Sequence, residues 1–154
     1  MALEKTVFFV KPYIDPKTAA EILVAKDSPL RERTDFRIVR AFATPILSLE
    51  FWEDFYSQVA QKHPVPFRKM CDDFASCQYG ILGEVLEGEG VIEHMRDVMG
   101  RSRVIRENPK WTVRGMYDSY NNEGKEWRTA THASTPDEVA KDLEVLARHR
   151  IISL

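Results

Sequence analysis

One histidine, His132, lies within residues 129–138, between a short β-like run and a strong signal for the start of a helix. Thr135 suits the N-cap, Pro136 suits the first helical position, and Glu138 completes a capping-box pattern. A helix N-terminus carries unpaired N–H groups and the positive end of the helix dipole, and both favour anions. The pattern therefore predicts phosphate chemistry at an imidazole, and a hydrogen-bonded structural histidine is the alternative.

Basic side chains recur at positions where the predicted elements end. Lysine and arginine give charge-assisted hydrogen bonds to phosphate oxygens, and a hydroxyl adds a neutral one. Taken singly, each basic residue also fits a solvated surface role. The candidates are Lys11 after the first strand, Arg96 beside the apolar stripe of a helix, Arg101, Ser102 and Arg103 after that helix, and Arg114 within residues 111–115.

These candidates need elements that bring them together, and the hydrophobic pattern predicts four strands with helices between them. Strands are predicted over 6–10, 36–46, 79–86 and 126–131, and helices over 16–24, 49–59, 67–74, 91–99 and 136–149. Ser48 is expected to begin a helix, Pro29 and Gly100 to end helices, and residues 63–66 to form a rigid break. The order predicts an α/β (α+β) protein of the ferredoxin-like, split βαβ type, with a four-stranded antiparallel sheet and helices on one face.

Composition describes an ordinary globular protein without a general attraction to polyanions. The 154 residues are 44% hydrophobic and 30% charged, and 22 basic against 24 acidic residues leave a net charge of −2. A chain of this length can bury one core, so we expect a single domain over residues 1–154. Any anion site must be local, and nucleic acid is not expected as a partner.

Two further observations concern the cellular environment. Cys71 and Cys77 lie six residues apart without a CxxC pattern or a histidine at ligand spacing, so we expect reduced thiols. The N-terminal residues lack a basic region followed by an apolar run, and no stretch approaches the length of a membrane span. These features predict a cytoplasmic protein with no membrane partner.

In this order the motifs resemble the nucleoside diphosphate kinase family. The similarity covers roughly residues 5 to 145, and several ordered patches are far more specific than one motif. The matching patches are Lys11-Pro12, Tyr56, Pro66-Phe67, Glu87-Gly88 followed by Arg96, Gly100 and Ser102, then Thr112-Val113-Arg114-Gly115, and His132 with Ser134.

The resemblance implies a ping-pong phosphotransferase with a ferredoxin-like fold and homo-oligomeric assembly. His132 would accept the terminal phosphate of ATP or another nucleoside triphosphate and pass it to a nucleoside diphosphate. Mg²⁺ would be held mainly through the nucleotide phosphates, so no protein metal site is expected.

The resemblance also implies a role for each matching residue. Lys11, Arg96, Ser102 and Arg114 would contact phosphate, Phe67 would stack on the base, Thr129 would stand at the ribose-contacting position, Tyr56 would lie near the histidine, and Ser134 and Asp142 would orient the imidazole. For Phe67 and Tyr56, packing in the core is the alternative interpretation.

The sequence departs from the family pattern near the nucleotide. Thr129 replaces Asn, Ala133 replaces Gly, Ser102 replaces Thr, Asp142 replaces Glu after a one-residue deletion, and Tyr13-Ile14 replaces the Asp-Gly that usually follows Lys-Pro. Because a threonine hydroxyl reaches less far than an Asn amide, we expect weaker nucleotide binding than in members with Asn.

Two other functions are compatible with the motifs. The first is a non-catalytic nucleotide-binding module on the same fold, but retention of His132 with Lys11, Arg96 and Arg114 favours the enzyme. The second is RNA binding through the arginine cluster over residues 96–106. The sequence lacks the aromatic motif of RNA-binding sheets and has an acidic net charge, which argues against it.

Overall fold

The computed structural model describes residues 3–30, 36–102, 104–117 and 129–153, with the backbone alone for 26–30. Arg103 and residues 126–128 of the predicted fourth strand lie outside these ranges. Within the ranges no helix has the length and apolar character needed to cross a bilayer. The elements in chain order are β1 (Glu4–Val10), α1 (Pro16–Leu30), β2 (Arg37–Ala43), α2 (Leu49–Phe55), α3 (Ser57–Lys62), α4 (Pro64–Ala75), β3 (Leu82–Gly88), α5 (Val91–Met99), a 3-10 turn (Ile105–Glu107), α6 (Val113–Met116), β4 (Thr131–Ala133) and α7 (Val139–Arg148).

The four strands form one sheet in the order β2-β3-β1-β4, and every neighbouring pair is antiparallel. β1 is central, since Val7 pairs with Val85 on β3 and Phe9 pairs with His132 on β4. This confirms the predicted ferredoxin-like sheet. Ser48 caps α2 by accepting the Phe51 amide, and Gly100 ends α5 at φ 99°, as the sequence also predicts.

Helices cover both faces of the sheet, so the prediction of helices on one face was wrong. Phe8 and Val10 of β1 pack into one core cluster, whereas Val7 and Phe9 pack into a second. The first cluster includes side chains of α1 and α5, and the second includes side chains of α2, α4 and α7. Neighbouring strand residues point to opposite faces, and a strand buried on both faces has a continuous apolar run. Residues 6–10 have that run.

Two prolines do not break helices where the sequence predicts a break. α1 continues past Pro29 to Leu30, and this proline lies in the last turn, where it removes the hydrogen bond of its own nitrogen and only one residue follows it. α4 begins at Pro64, which was expected to form a rigid break with Pro66. In the first turn of a helix the backbone N–H groups have no intrahelical acceptor. Pro64 and Pro66, which lack this N–H, are therefore compatible with the start of α4.

The last helix begins later than predicted. Residues 136–138 form a turn in which the Glu138 amide donates to the Thr135 carbonyl over 3.0 Å, and α7 starts at Val139 with Glu138 as its N-cap. Half of the predicted capping box is present, since Thr135 N donates to Glu138 Oε1 over 2.9 Å. The first turn of α7 therefore carries Asp142, a carboxylate, toward the site.

Candidate active site

His132 lies at the centre of β4 and is 8% exposed. Its ring stacks on Phe9 with centroids 4.9 Å apart, and the edges of Phe55 and Tyr56 lie around it at 5.1 and 5.8 Å between centroids. Phe9 is also the strand partner of His132, so the backbone register produces the stacking. The ring is thus held by three aromatic side chains from β1 and the end of α2.

One ring nitrogen of His132 contacts a buried carboxylate. His132 Nε2 lies 2.8 Å from Asp142 Oδ2, and Asp142 is fully buried. The Ser134 hydroxyl donates to the same Oδ2 over 2.7 Å. A carboxylate oxygen accepts hydrogen bonds, so this geometry places the proton of the neutral ring on Nε2 and leaves the lone pair on Nδ1.

Asp142 is ionised in this environment. Burial raises the pKa of its carboxyl group, but the neighbouring His132 and Lys141 outweigh burial, and the pKa lies below its usual value. The carboxylate therefore remains an acceptor for the Nε2 proton.

Tyr56 faces the other ring nitrogen. Its hydroxyl lies 3.5 Å from His132 Nδ1, at the outer limit of a hydrogen bond. Burial raises the pKa of Tyr56 well above its usual value, and the negative charges of Asp142 and Glu138 add to this effect. The hydroxyl stays protonated, and at this distance it holds the Nδ1 lone pair only weakly.

Lys11 follows β1 at the edge where β4 pairs. Its amide donates to Ala130 O over 2.9 Å, and its ammonium donates to Thr129 Oγ1 over 2.8 Å. Thr129 is 2% exposed, so this oxygen faces the protein interior. Lys11 lies two residues after Phe9, on the face of the sheet that carries the His132 ring.

Arg114 and Ser102 form a second cluster. Thr112 caps α6 by accepting the Gly115 amide, and Arg114 of this helix donates from Nη1 to the Ser102 carbonyl over 3.1 Å. The buried Asn108 holds Ser102, accepting its amide and donating to its carbonyl, each over 3.0 Å. The Arg114 charge acts to lower the pKa of Tyr56, the residue whose hydroxyl faces His132 Nδ1.

Arg96 and Phe67 make no direct contact with His132 in the described part of the chain. Arg96 on α5 is 3.9 Å from Glu93, and Phe67 on α4 packs against the second core cluster. Among the described residues, no hydrogen bond, ion pair or ring contact joins either of them to His132. Their assignments to phosphate and base stay predictions.

Sequence reasoning missed Lys141 and Asn108. Lys141 Nζ lies 2.6 Å from Asp142 Oδ1, and Asn108 fixes the loop that carries Ser102. Lys141 had one local signal, its position next to Asp142 on the polar side of a helical pattern. Asn108 stands in a loop without periodicity, and its partners become visible only in the fold.

The acidic side chains of the site are not arranged as a metal cage. In the ranges 3–25, 36–102, 104–117 and 129–153, no group of three or more His, Cys, Asp or Glu side chains is placed to hold a metal ion.

The two cysteines, Cys71 and Cys77, are free thiols in the structure, and burial raises the pKa of Cys71 to about 12.

The sheet order, with helices on both faces and a histidine on its short edge strand, defines an α+β protein of the ferredoxin-like class. Protein-family models give no match with the sequence, and curated protein sequences give none either. The similarities are therefore found through the fold.

Solved structures of nucleoside diphosphate kinases share this fold. The Aquifex aeolicus enzyme gives a TM-score of 0.67 at 23% identity, over 94% of this chain and 95% of that chain. The Borrelia burgdorferi enzyme, solved as a transition-state mimic with bound vanadate and ADP, gives a TM-score of 0.70 at 20% identity, over 99% of this chain and 92% of that chain. The Halobacterium salinarum enzyme in complex with CDP gives 0.69 at 19% identity over 94% and 85%. The fold implied by the sequence resemblance is confirmed.

Proposed function

We propose that this protein is a nucleoside diphosphate kinase that transfers the terminal phosphate of a nucleoside triphosphate to a nucleoside diphosphate through a phosphohistidine at His132. The observation that carries the proposal is the hydrogen bond of His132 Nε2 to the buried Asp142, which directs the lone pair of the neutral ring to Nδ1. The fold shared with enzymes solved with CDP, and with ADP and vanadate, supports nucleotides as the ligands.

The proposed chemistry has two symmetrical halves. The Nδ1 lone pair forms a bond to the γ-phosphorus while the bond from that phosphorus to the β–γ bridging oxygen breaks, and the departing nucleoside diphosphate keeps the electron pair. The Nε2 proton stays on the ring, and the Asp142 carboxylate stabilises the positive charge that develops there. In the second half, a nucleoside diphosphate oxygen attacks the phosphohistidine and restores the free ring.

Cationic side chains would stabilise the transferring group. Lys11, Arg96 and Arg114 supply positive charge for the equatorial oxygens, and Ser102 supplies a hydroxyl. Lysine and arginine do not ligate Mg²⁺, so the ion would be held by nucleotide phosphates and water, with few or no protein ligands. When bound in that way, it neutralises phosphate charge.

A labelling experiment tests the proposal. The protein is incubated with γ-labelled ATP and magnesium, and we expect an acid-labile label on the protein that a nucleoside diphosphate discharges. ATP binding without any label would favour the non-catalytic module. That candidate has two observations in its favour, since the Ser102 hydroxyl already donates to Glu107 over 2.8 Å and the Lys11 ammonium to Thr129 over 2.8 Å.

Lys11→Ala and Arg114→Ala are each expected to cost about 2–4 kcal/mol in transition-state stabilisation, as the loss of one preorganised donor commonly does. Steady-state kcat/KM for ATP measures the loss, and Lys62→Ala, an exposed residue of α3, is the matched control. If both variants lose less than tenfold, these residues do not contact the transferring phosphate and the phosphate site lies elsewhere.

Thr129→Val should affect transfer through Lys11. Valine keeps the shape of the buried side chain and removes the oxygen that accepts from Lys11 Nζ, so kcat/KM should fall roughly two- to tenfold, the worth of one hydrogen bond. Thr129→Ser, which restores a hydroxyl, should recover most of the loss. A larger loss than that of Lys11→Ala would contradict a role through Lys11.

A further inference from the structure

Lys141 is a lysine in an unusual place, next to the His132–Asp142 pair. It precedes Asp142 on α7, and its side chain is only 19% exposed. A lysine ordinarily keeps its ammonium group in water because desolvation of the charge is costly. A site that holds this ammonium must therefore compensate it with partners.

The ammonium group has three partners in the described structure. Lys141 Nζ lies 2.6 Å from Asp142 Oδ1, donates to the Phe55 carbonyl oxygen, and lies 4.5 Å from the centroid of the Phe55 ring. The Phe55 ring in turn lies edge-on to His132, with centroids 5.1 Å apart. One cation thus contacts both the carboxylate and an aromatic ring that hold the histidine.

We propose that Lys141 is a positioning residue that fixes the Asp142 carboxylate so that Oδ2 accepts the Nε2 proton of His132. The two carboxylate oxygens divide their partners, since Oδ1 faces Lys141 while Oδ2 faces His132 and Ser134. Because the carboxylate cannot turn without losing the ammonium, its direction is set from the side away from the imidazole. This inference rests on the function proposed above, which gives the Nδ1 lone pair its purpose.

Loss of the Lys141 charge would change which ring nitrogen carries the proton. The pKa of Asp142 is raised by burial and lowered by His132 and Lys141. Without the cation, the buried carboxyl group holds a proton more readily. A protonated carboxyl can donate to Nε2, and this hydrogen bond requires the ring proton on Nδ1, where no lone pair then remains.

The test compares Lys141→Gln with Lys141→Arg and with Lys17→Gln. Glutamine keeps a donor for the Phe55 carbonyl and removes the charge, arginine keeps the charge, and Lys17 is an exposed residue of α1. We measure kcat and the KM for ATP, and the nitrogen NMR shifts of the His132 ring report which nitrogen is protonated. Thermal melting shows that each variant is folded.

For Lys141→Gln we expect kcat to fall about tenfold or more, as when a hydrogen bond to a charged group is weakened, with the KM for ATP unchanged. The ring should move from the Nε2–H form toward the Nδ1–H form. Lys141→Arg should recover most of the lost kcat, and Lys17→Gln should keep the wild-type values.

A kcat within twofold of wild type with an unchanged ring tautomer would overturn the inference. Equal losses in Lys141→Gln and Lys141→Arg would also overturn it, because they would indicate packing. If the wild-type protein transfers no phosphate, the proposed function fails, whereas the NMR comparison still decides whether Lys141 sets the tautomer.

Discussion

His132→Gln is expected to abolish the acid-labile label and with it all nucleoside diphosphate kinase activity. The glutamine side chain carries an amide in place of the imidazole, and an amide nitrogen has no lone pair available for attack on phosphorus. Glutamine can still contact Asp142 and fill part of the space between the aromatic rings. The measurement is the amount of label per protein chain after incubation with γ-labelled ATP and magnesium.

The choice of glutamine over alanine follows from burial. The sequence places His132 at a junction between a strand and a helix, where truncation would be harmless. In the structure its ring is 8% exposed and packs on Phe9 and Phe55. His132→Ala leaves a cavity there and is expected to cost about 2 kcal/mol or more in the free energy of unfolding. Loss of label in that variant alone would not separate chemistry from folding.

A second histidine provides a matched control. His149 Nε2 lies 2.8 Å from Asp54 Oδ2, and its ring packs edge-on against Phe51 with centroids 5.1 Å apart. His149→Gln removes the same type of His–Asp pair and should leave the label unchanged. Label retained in His132→Gln, or lost in His149→Gln, would show that the phosphate acceptor is a different residue.

Local patterns predicted the sheet, whereas the helices on its second face were missed although one local pattern indicated them. Residues 6–10 have the apolar run of a buried strand, and Ser48 and Gly100 mark helix ends through hydrogen bonds and φ angles that depend on near neighbours. Whether helices cover one face or both depends on packing between distant elements. The continuous run in β1 contained that information, because a strand exposed on one face would alternate.

Prolines were misread for a related reason. The effect of Pro29 or Pro64 depends on its place within the helix, and the same residue is neutral in a first turn and disruptive in the interior. A rule that treats every proline as a helix break takes no account of where the proline lies in the helix.

The site residues also fall into two groups, those that local patterns indicate and those that meet over long sequence separations. His132, Ser134 and Asp142 lie within eleven residues and depend on the β4–α7 connection, which the sequence signals clearly. Tyr56 approaches His132 over a separation of 76 residues, and Lys11 meets Thr129 over 118. Such long-range pairs follow from the sheet order. The family resemblance implied that Tyr56 lies near His132, but it did not pair Lys11 with Thr129. Asn108 had neither source, and Lys141 had only its position next to Asp142.

Asp142→Asn is the substitution whose effect depends most on the partners around one side chain. An asparagine has one acceptor oxygen and one donor NH₂ in place of two carboxylate oxygens. If the oxygen faces His132, the NH₂ group faces the Lys141 ammonium, donor against donor. The opposite orientation satisfies Lys141 at Oδ1 and directs the NH₂ group at His132 and Ser134. Ser134 can adapt, since its hydroxyl also lies 3.4 Å from the Val7 carbonyl.

This preferred orientation makes Nε2 of His132 an acceptor and moves the ring proton to Nδ1, where the attacking lone pair is needed. We expect kcat to fall roughly a thousandfold, which corresponds to about 4 kcal/mol in the activation free energy, because the partner of the catalytic histidine then stabilises the wrong tautomer. Steady-state kinetics and the nitrogen NMR shifts of the His132 ring measure the two effects together. Asp54→Asn is the control, because it alters the His149 pair in the same way.

The double variant with Lys141→Gln and Asp142→Asn decides whether the Lys141 charge imposes the orientation. A glutamine oxygen at position 141 can accept the asparagine NH₂ group, which allows the asparagine oxygen to turn back toward His132 and accept its Nε2 proton. The double variant should therefore be more active than Asp142→Asn alone, although each single change lowers activity, and this departure from additivity measures the coupling. Additive losses in the double variant would mean that the orientation of residue 142 is set by other partners.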